Sequence, residues 1–126
     1  RKISGTQNNI QVAGFYSSSG DAAWILRFDG SSWQMVYSQA GSRPPYTLDV
    51  ISPTEGYFVT CWGWGRWDGA SWSYTAQGWD FCDVADTWAI RDPESSFHWW
   101  AVGNNNFGNG IRVWCFNTNT MSFGSK

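Results

Sequence analysis

Arg27-Phe28-Asp29-Gly30-Ser31-Ser32-Trp33 returns 39 residues later as Arg66-Trp67-Asp68-Gly69-Ala70-Ser71-Trp72. Five of the seven positions are identical, and the other two agree in type. A weaker third copy, Cys115-Phe116-Asn117-Thr118-Asn119-Thr120-Met121, follows after 49 more residues. Each copy places an aromatic residue before Asp or Asn, and the first two continue with Gly. Asp-Gly between alternating aromatic runs predicts a β-hairpin with a two-residue turn, because a type I′ turn needs positive φ at both central residues. Repetition at this spacing signals one supersecondary unit used several times.

Working upstream, Ile10-Gln11-Val12-Ala13-Gly14, Tyr57-Phe58-Val59-Thr60-Cys61 and Trp99-Trp100-Ala101-Val102-Gly103 align as one strand of the unit. Earlier still, Val50-Ile51-Ser52-Pro53-Thr54-Glu55 matches Ala89-Ile90-Arg91-Asp92-Pro93-Glu94, with Ile3-Ser4-Gly5-Thr6 as a degenerate first copy. The Pro-containing segments supply a turn between two strands. Each unit therefore reads strand, turn, strand, loop, strand, Asp-Gly turn, strand, with approximate limits 1–46, 47–80 and 81–126. Four short strands cannot bury both faces of an isolated sheet, whereas sheets stacked face to face can. The expected class is all-β, and composition agrees. Eleven Trp, eight Phe, five Tyr and fourteen Gly suit short strands and tight turns, and no run of helix formers is present.

These residues resemble the β-propeller repeats of bacterial and phage surface proteins, whose blades read V-x-A-V-G, a variable loop, then Y-D-G-x-S-W. Trp100-Ala101-Val102-Gly103 and Phe28-Asp29-Gly30-Ser31-Ser32-Trp33 carry the resemblance. Thr60-Cys61 departs from Val-Gly in the middle copy, and Asn117 is not followed by Gly in the last. The resemblance implies three four-stranded blades and no particular activity. Propellers have about four to eight blades, so three leave open faces and edges. Ring completion is expected from further copies of the chain, a homo-oligomer, or from the remainder of a larger chain. Two copies joined head to tail would supply six blades.

Other features narrow the function. The net charge is −2 and the eight basic residues are scattered, which gives no electrostatic footprint for nucleic acid. No apolar run approaches the roughly 18 residues of a membrane helix. The chain begins at Arg1 rather than Met, as a processed segment or a fragment would. His98 is the one histidine and sits between Phe97 and Trp99, where a packing role is expected. No nucleophile elbow, phosphate loop or metalloprotease motif accompanies it, so no enzyme and no cofactor are expected. Asp80, Asp83, Asp86, Asp92 and Glu94 fit no calcium-loop spacing and read as a solvated loop. Cys61, Cys82 and Cys115 admit one disulfide plus a thiol in an oxidising compartment, or three buried thiols. No N-x-[ST] acceptor occurs.

The candidate binding residues are Trp62, Trp64, Arg66, Trp67 and Asp68, in Trp62-Gly63-Trp64-Gly65-Arg66-Trp67-Asp68. Flat indole faces suit the apolar faces of sugar rings, and Arg or Asp can bond their hydroxyls. Alternating Trp and Gly equally suits a strand packed between sheets. Arg27 and Arg66, two residues before Asp29 and Asp68, are read as ion-pair partners on one strand face. The segments 16–23 and 104–110 are expected as rim loops that meet a partner. Together these features predict a non-catalytic structural or assembly module, extracellular or at the cell surface, presenting loops to a glycan or surface protein. The alternative is a lectin-like, carbohydrate-binding module that uses the Trp-rich segment.

Overall fold

The computed structural model describes residues 2–16, 22–40, 45–76, 84–90, 98–104, 111–117 and 122–125. They form twelve strands: β1 (Lys2–Thr6), β2 (Asn9–Tyr16), β3 (Ala22–Phe28), β4 (Trp33–Ala40), β5 (Thr47–Ser52), β6 (Glu55–Thr60), β7 (Gly63–Trp67), β8 (Trp72–Ala76), β9 (Val84–Ile90), β10 (His98–Asn104), β11 (Ile111–Asn117) and β12 (Ser122–Ser125). Three four-stranded sheets result, each a meander in which sequence neighbours pair antiparallel: β1–β4, β5–β8 and β9–β12. The all-β expectation holds, and the hairpins headed by Asp29 and Asp68 lie in different sheets. Among the described residues no closed ring of sheets is present. The chain divides into two compact units, Arg1–Cys82 with the first two sheets and Asp83–Lys126 with the third.

The turns depart from the Asp-Gly expectation by one residue. Phe28 pairs with Trp33, and the Asp29 N–H donates to the Ser32 carbonyl at 3.2 Å, so the central pair is Gly30-Ser31. Gly30 supplies a left-handed conformation, at φ 103°, and Gly69 repeats it at 104°. Asp29 acts through its side chain instead. Its carboxylate accepts the Ser31 and Ser32 N–H groups, each at 2.9 Å, an Asx arrangement that Asp68 reproduces with Ala70 and Ser71 at 2.8 Å.

Pairing register also corrects the repeat alignment. Ile10 faces Phe28 across β2–β3, and Gly56 faces Trp67 across β6–β7. Gly56-Tyr57-Phe58-Val59-Thr60 is therefore the counterpart of Ile10–Gly14, one residue earlier than the aromatic pattern suggests. In the third sheet Phe116 faces Phe123, so Phe123 is the positional counterpart of Trp33 and Trp72. Pairing there runs on to Asn117 opposite Ser122, and Met121 lies outside the described residues.

Register sorts the side chains onto two faces of every sheet. We call the side bearing Phe28 and Trp33, or Trp67 and Trp72, the indole face. The other side, which in the first sheet bears Gln11, Ala13, Ile25 and Arg27, we call the acceptor face. In the first unit the indole face of β5–β8 packs on the acceptor face of β1–β4. Ala13, Ile25, Leu48, Val50, Phe58, Trp67 and Trp72 form the core, with Val36, Tyr37 and Tyr74 against it. A bulge opposite Ile25 and Leu26 inserts Val36 beside Tyr37 and brings both residues to this core. Phe58 is its centre, with ring centroids 5.0 Å from Tyr37, 5.0 Å from Trp72 and 6.3 Å from Tyr74.

Candidate functional site

A polar relay crosses the sheet-on-sheet interface. Trp72 Nε1 donates to Gln11 Oε1 at 2.9 Å, Gln11 Nε2 donates to Asn9 Oδ1 at 3.1 Å, and Asn9 Nδ2 donates to the Ser52 carbonyl at 3.4 Å. The Val50 N–H adds a bond to Ser4 Oγ at 2.9 Å. Gln11 and Asn9 are buried, so these bonds offset the cost of removing two amides from water and fix how the sheets register. Sequence reading passed over Gln11. Its signal was a polar residue amid the apolar run Ile10-Gln11-Val12-Ala13.

The expected Arg–Asp ion pairs do not form. The Arg27 guanidinium lies over the Trp67 ring, 5.6 Å from its centroid, on the facing sheet. Asp29 is committed to its own turn. The Ser32 and Ser31 N–H groups and the Ser31 hydroxyl hold its carboxyl well below the ordinary range, at about 2. Asp68 is lowered in the same way by Ser71 and Ala70. A depressed folded pKa means that the turn's advantage is full above the ordinary pKa of 3.8 and is lost as pH falls towards about 2. In an NMR titration the Asp29 carboxyl should titrate near 2, with the Ser31 and Ser32 amide shifts following it. Amides that titrate with an ordinary Asp midpoint, or that keep their inflection in Asp29→Asn, would contradict this geometry. Elsewhere in the core, burial and then the Tyr74 phenol push Tyr37 up to about 12, and its hydroxyl donates to Gln39 Oε1.

The five candidate sugar-binding residues are not brought together. Trp62 stands at the β6–β7 turn and is 56% exposed. Asp68 stands at the opposite end of β7, about 20 Å away along a strand rising ~3.3 Å per residue. Between them Trp64 and Trp67 are buried, on opposite faces of the sheet. Trp67 donates its Nε1 proton to the Pro53 carbonyl at 2.9 Å. Arg66 is exposed on the Trp64 face, across from Tyr57. Burial, and then the Glu55 carboxylate, hold the Tyr57 phenol well above its ordinary value. Odd and even positions of one strand cannot share a face, so Trp67 joins the core while Trp64 faces away from it.

Two further surfaces stand out. On the indole face of the first sheet Ile3 is 69%, Trp33 50% and Met35 62% exposed, whereas the counterparts of Ile3 and Trp33 in the second sheet, Leu48 and Trp72, are 3% and 8% exposed. Ile10, Val12, Trp24, Leu26 and Phe28 are half-buried on that same face. In the third sheet, Trp100, Val102, Val113 and Asp86 lie on the acceptor face and line a groove of about 260 Å³. Val102 there is exposed, where its counterpart Ala13 in the first sheet is fully buried.

Cys61 is disulfide-bonded, whereas Cys115 is a half-buried thiol. Cys82 lies outside the described residues, as do the loop positions 17–21 and 105–110 and the acidic residues Asp80, Asp83, Asp92 and Glu94. His98 lies in β10, opposite Asn117 and Ile90. No protein-family model, no curated protein and no solved structure matches the chain.

Proposed function

We propose that the chain is a non-catalytic structural module of β-propeller type, extracellular or at the cell surface, that assembles through its sheet faces and presents its loops to a partner. One observation carries the reading. The face that buries Trp67 and Trp72 in the second sheet recurs on the first sheet as an open apolar surface around Ile3, Trp33 and Met35. An exposed sheet face of this kind is a partner surface or an aggregation hazard, and a chain built of repeats has its own repeat as the natural cover. The blade motif and three successive four-stranded meanders support the propeller geometry. The disulfide at Cys61 supports an oxidising compartment. With Trp64 and Trp67 buried, the Trp-rich strand supports packing more than sugar binding.

Sedimentation equilibrium of the chain tests this. The expected mass is a multiple of 14.2 kDa that rises with concentration. A stable β-rich monomer of 14.2 kDa across the whole concentration range would end the assembly reading.

A further inference from the structure

We infer that the indole face of the first sheet seats on the acceptor face of the third sheet of a second copy of this chain, head to tail. This rests on the assembly reading above and names its partner and its two surfaces. The sheet-on-sheet interface inside the first unit serves as the template. There an indole face, with Leu48, Phe58, Trp67 and Trp72, covers an acceptor face, with Gln11, Ala13, Ile25 and Arg27. By strand register, Ile3, Val12, Phe28 and Trp33 repeat the first set; Ile3 and Trp33 are exposed, and Val12 and Phe28 are half-buried. Trp100, Val102, Val113 and Cys115 repeat the second set. Of these, Val102 is 40% exposed and the other three are half-buried. One chain thus carries both halves of an interface it already uses, each on a different sheet, and a second copy continues that interface.

The template also sets the chemistry of the contact. Trp100 occupies the Gln11 position and offers no amide acceptor, so the contact between copies rests on apolar burial and lacks the Trp72–Gln11 type of bond. Two unlike faces make a heterologous contact, which closes into a ring or runs on as a filament, whereas like faces would make a closed two-fold dimer.

The test uses three exposed positions where substitution leaves the fold intact: Met35→Glu and Ile3→Glu on the indole face, and Val102→Glu on the acceptor face. Circular dichroism and melting profiles confirm folding for each. Every variant should weaken self-association about 30-fold or more, the scale of a hot-spot loss. An equimolar mixture of Met35→Glu and Val102→Glu should recover association as one pair, because each variant keeps the surface the other lacks. If Val102→Glu associates as the wild type does, or the mixture recovers nothing while the wild type assembles, the head-to-tail inference falls and the assembly reading survives. A monomeric wild type removes both.

Discussion

Trp67→Ala should lower the unfolding free energy of the first unit by about 3–5 kcal/mol. The side chain is fully buried, and its ring lies 5.7 Å from Trp72 and 5.6 Å from the Arg27 guanidinium. Its Nε1 proton satisfies the Pro53 carbonyl. Truncation therefore removes the largest fully buried side chain among the described residues, opens a cavity between the sheets, and takes from Pro53 and Arg27 a partner that alanine cannot replace. Against a typical domain stability of roughly 5–15 kcal/mol this is a large fraction. Urea unfolding monitored by near-ultraviolet circular dichroism measures it. Trp62→Ala, at an exposed turn position, should change stability by no more than about 0.5 kcal/mol. Similar losses for the two variants would mean that the assignment of Trp67 to the core and Trp62 to the surface is wrong.

Gly65→Ala should destabilise by about 1–3 kcal/mol or more, although backbone preference alone argues the other way. In a strand, alanine in place of glycine restricts the unfolded chain and would stabilise by about 0.4–1 kcal/mol where space allows. Space does not allow it at this site. A Cβ on Gly65 would lie 2.1 Å from Phe58 Cε1 and 2.3 Å from Cζ, and Phe58 is the cross-strand partner of Gly65. The ring cannot swing aside, because Tyr37, Trp72 and Tyr74 surround it. The absent side chain is a slot that the Phe58 ring fills. Pairing Gly65→Ala with Phe58→Leu should cost less than the sum of the two single changes, by about 0.5–3 kcal/mol in a double-mutant cycle. Simple additivity, or stabilisation by Gly65→Ala alone, would show that the ring does not occupy the slot.

The Asp-Gly hairpins, the Pro turn at Pro53 and the strand alternation made the strand order and the separate sheets legible in the sequence, because those signals are local. What the sequence hid depends on register. Matching Tyr57 with Ile10 aligned aromatic with aliphatic residues, yet β6 is anchored one residue earlier by Gly56 opposite Trp67. A slip of one residue exchanges the two faces of a strand, so the buried and exposed sets could not both be assigned correctly. The Trp-rich strand does not gather its indoles on one face, for a related reason. Trp64 and Trp67 differ in parity, and Trp62 and Asp68 terminate the strand at opposite ends. The ion-pair reading of Arg27 and Asp29 overlooked the turn's own amides, which reach the carboxylate first. Finally, Gln11 became significant only when a second sheet brought an indole N–H to it.

The hairpin that packs Trp67 beside Trp72 also has an optical consequence. The two indoles are held at an interplanar angle of 45° by the closing pair of a tight turn. Two chromophores this near and skewed couple their transition dipoles and yield an exciton couplet of opposite-signed ultraviolet bands. The share of that signal due to Trp67 and Trp72 exists only while their turn is shut, so the part of the spectrum that Trp67→Ala removes reports the opening of this hairpin.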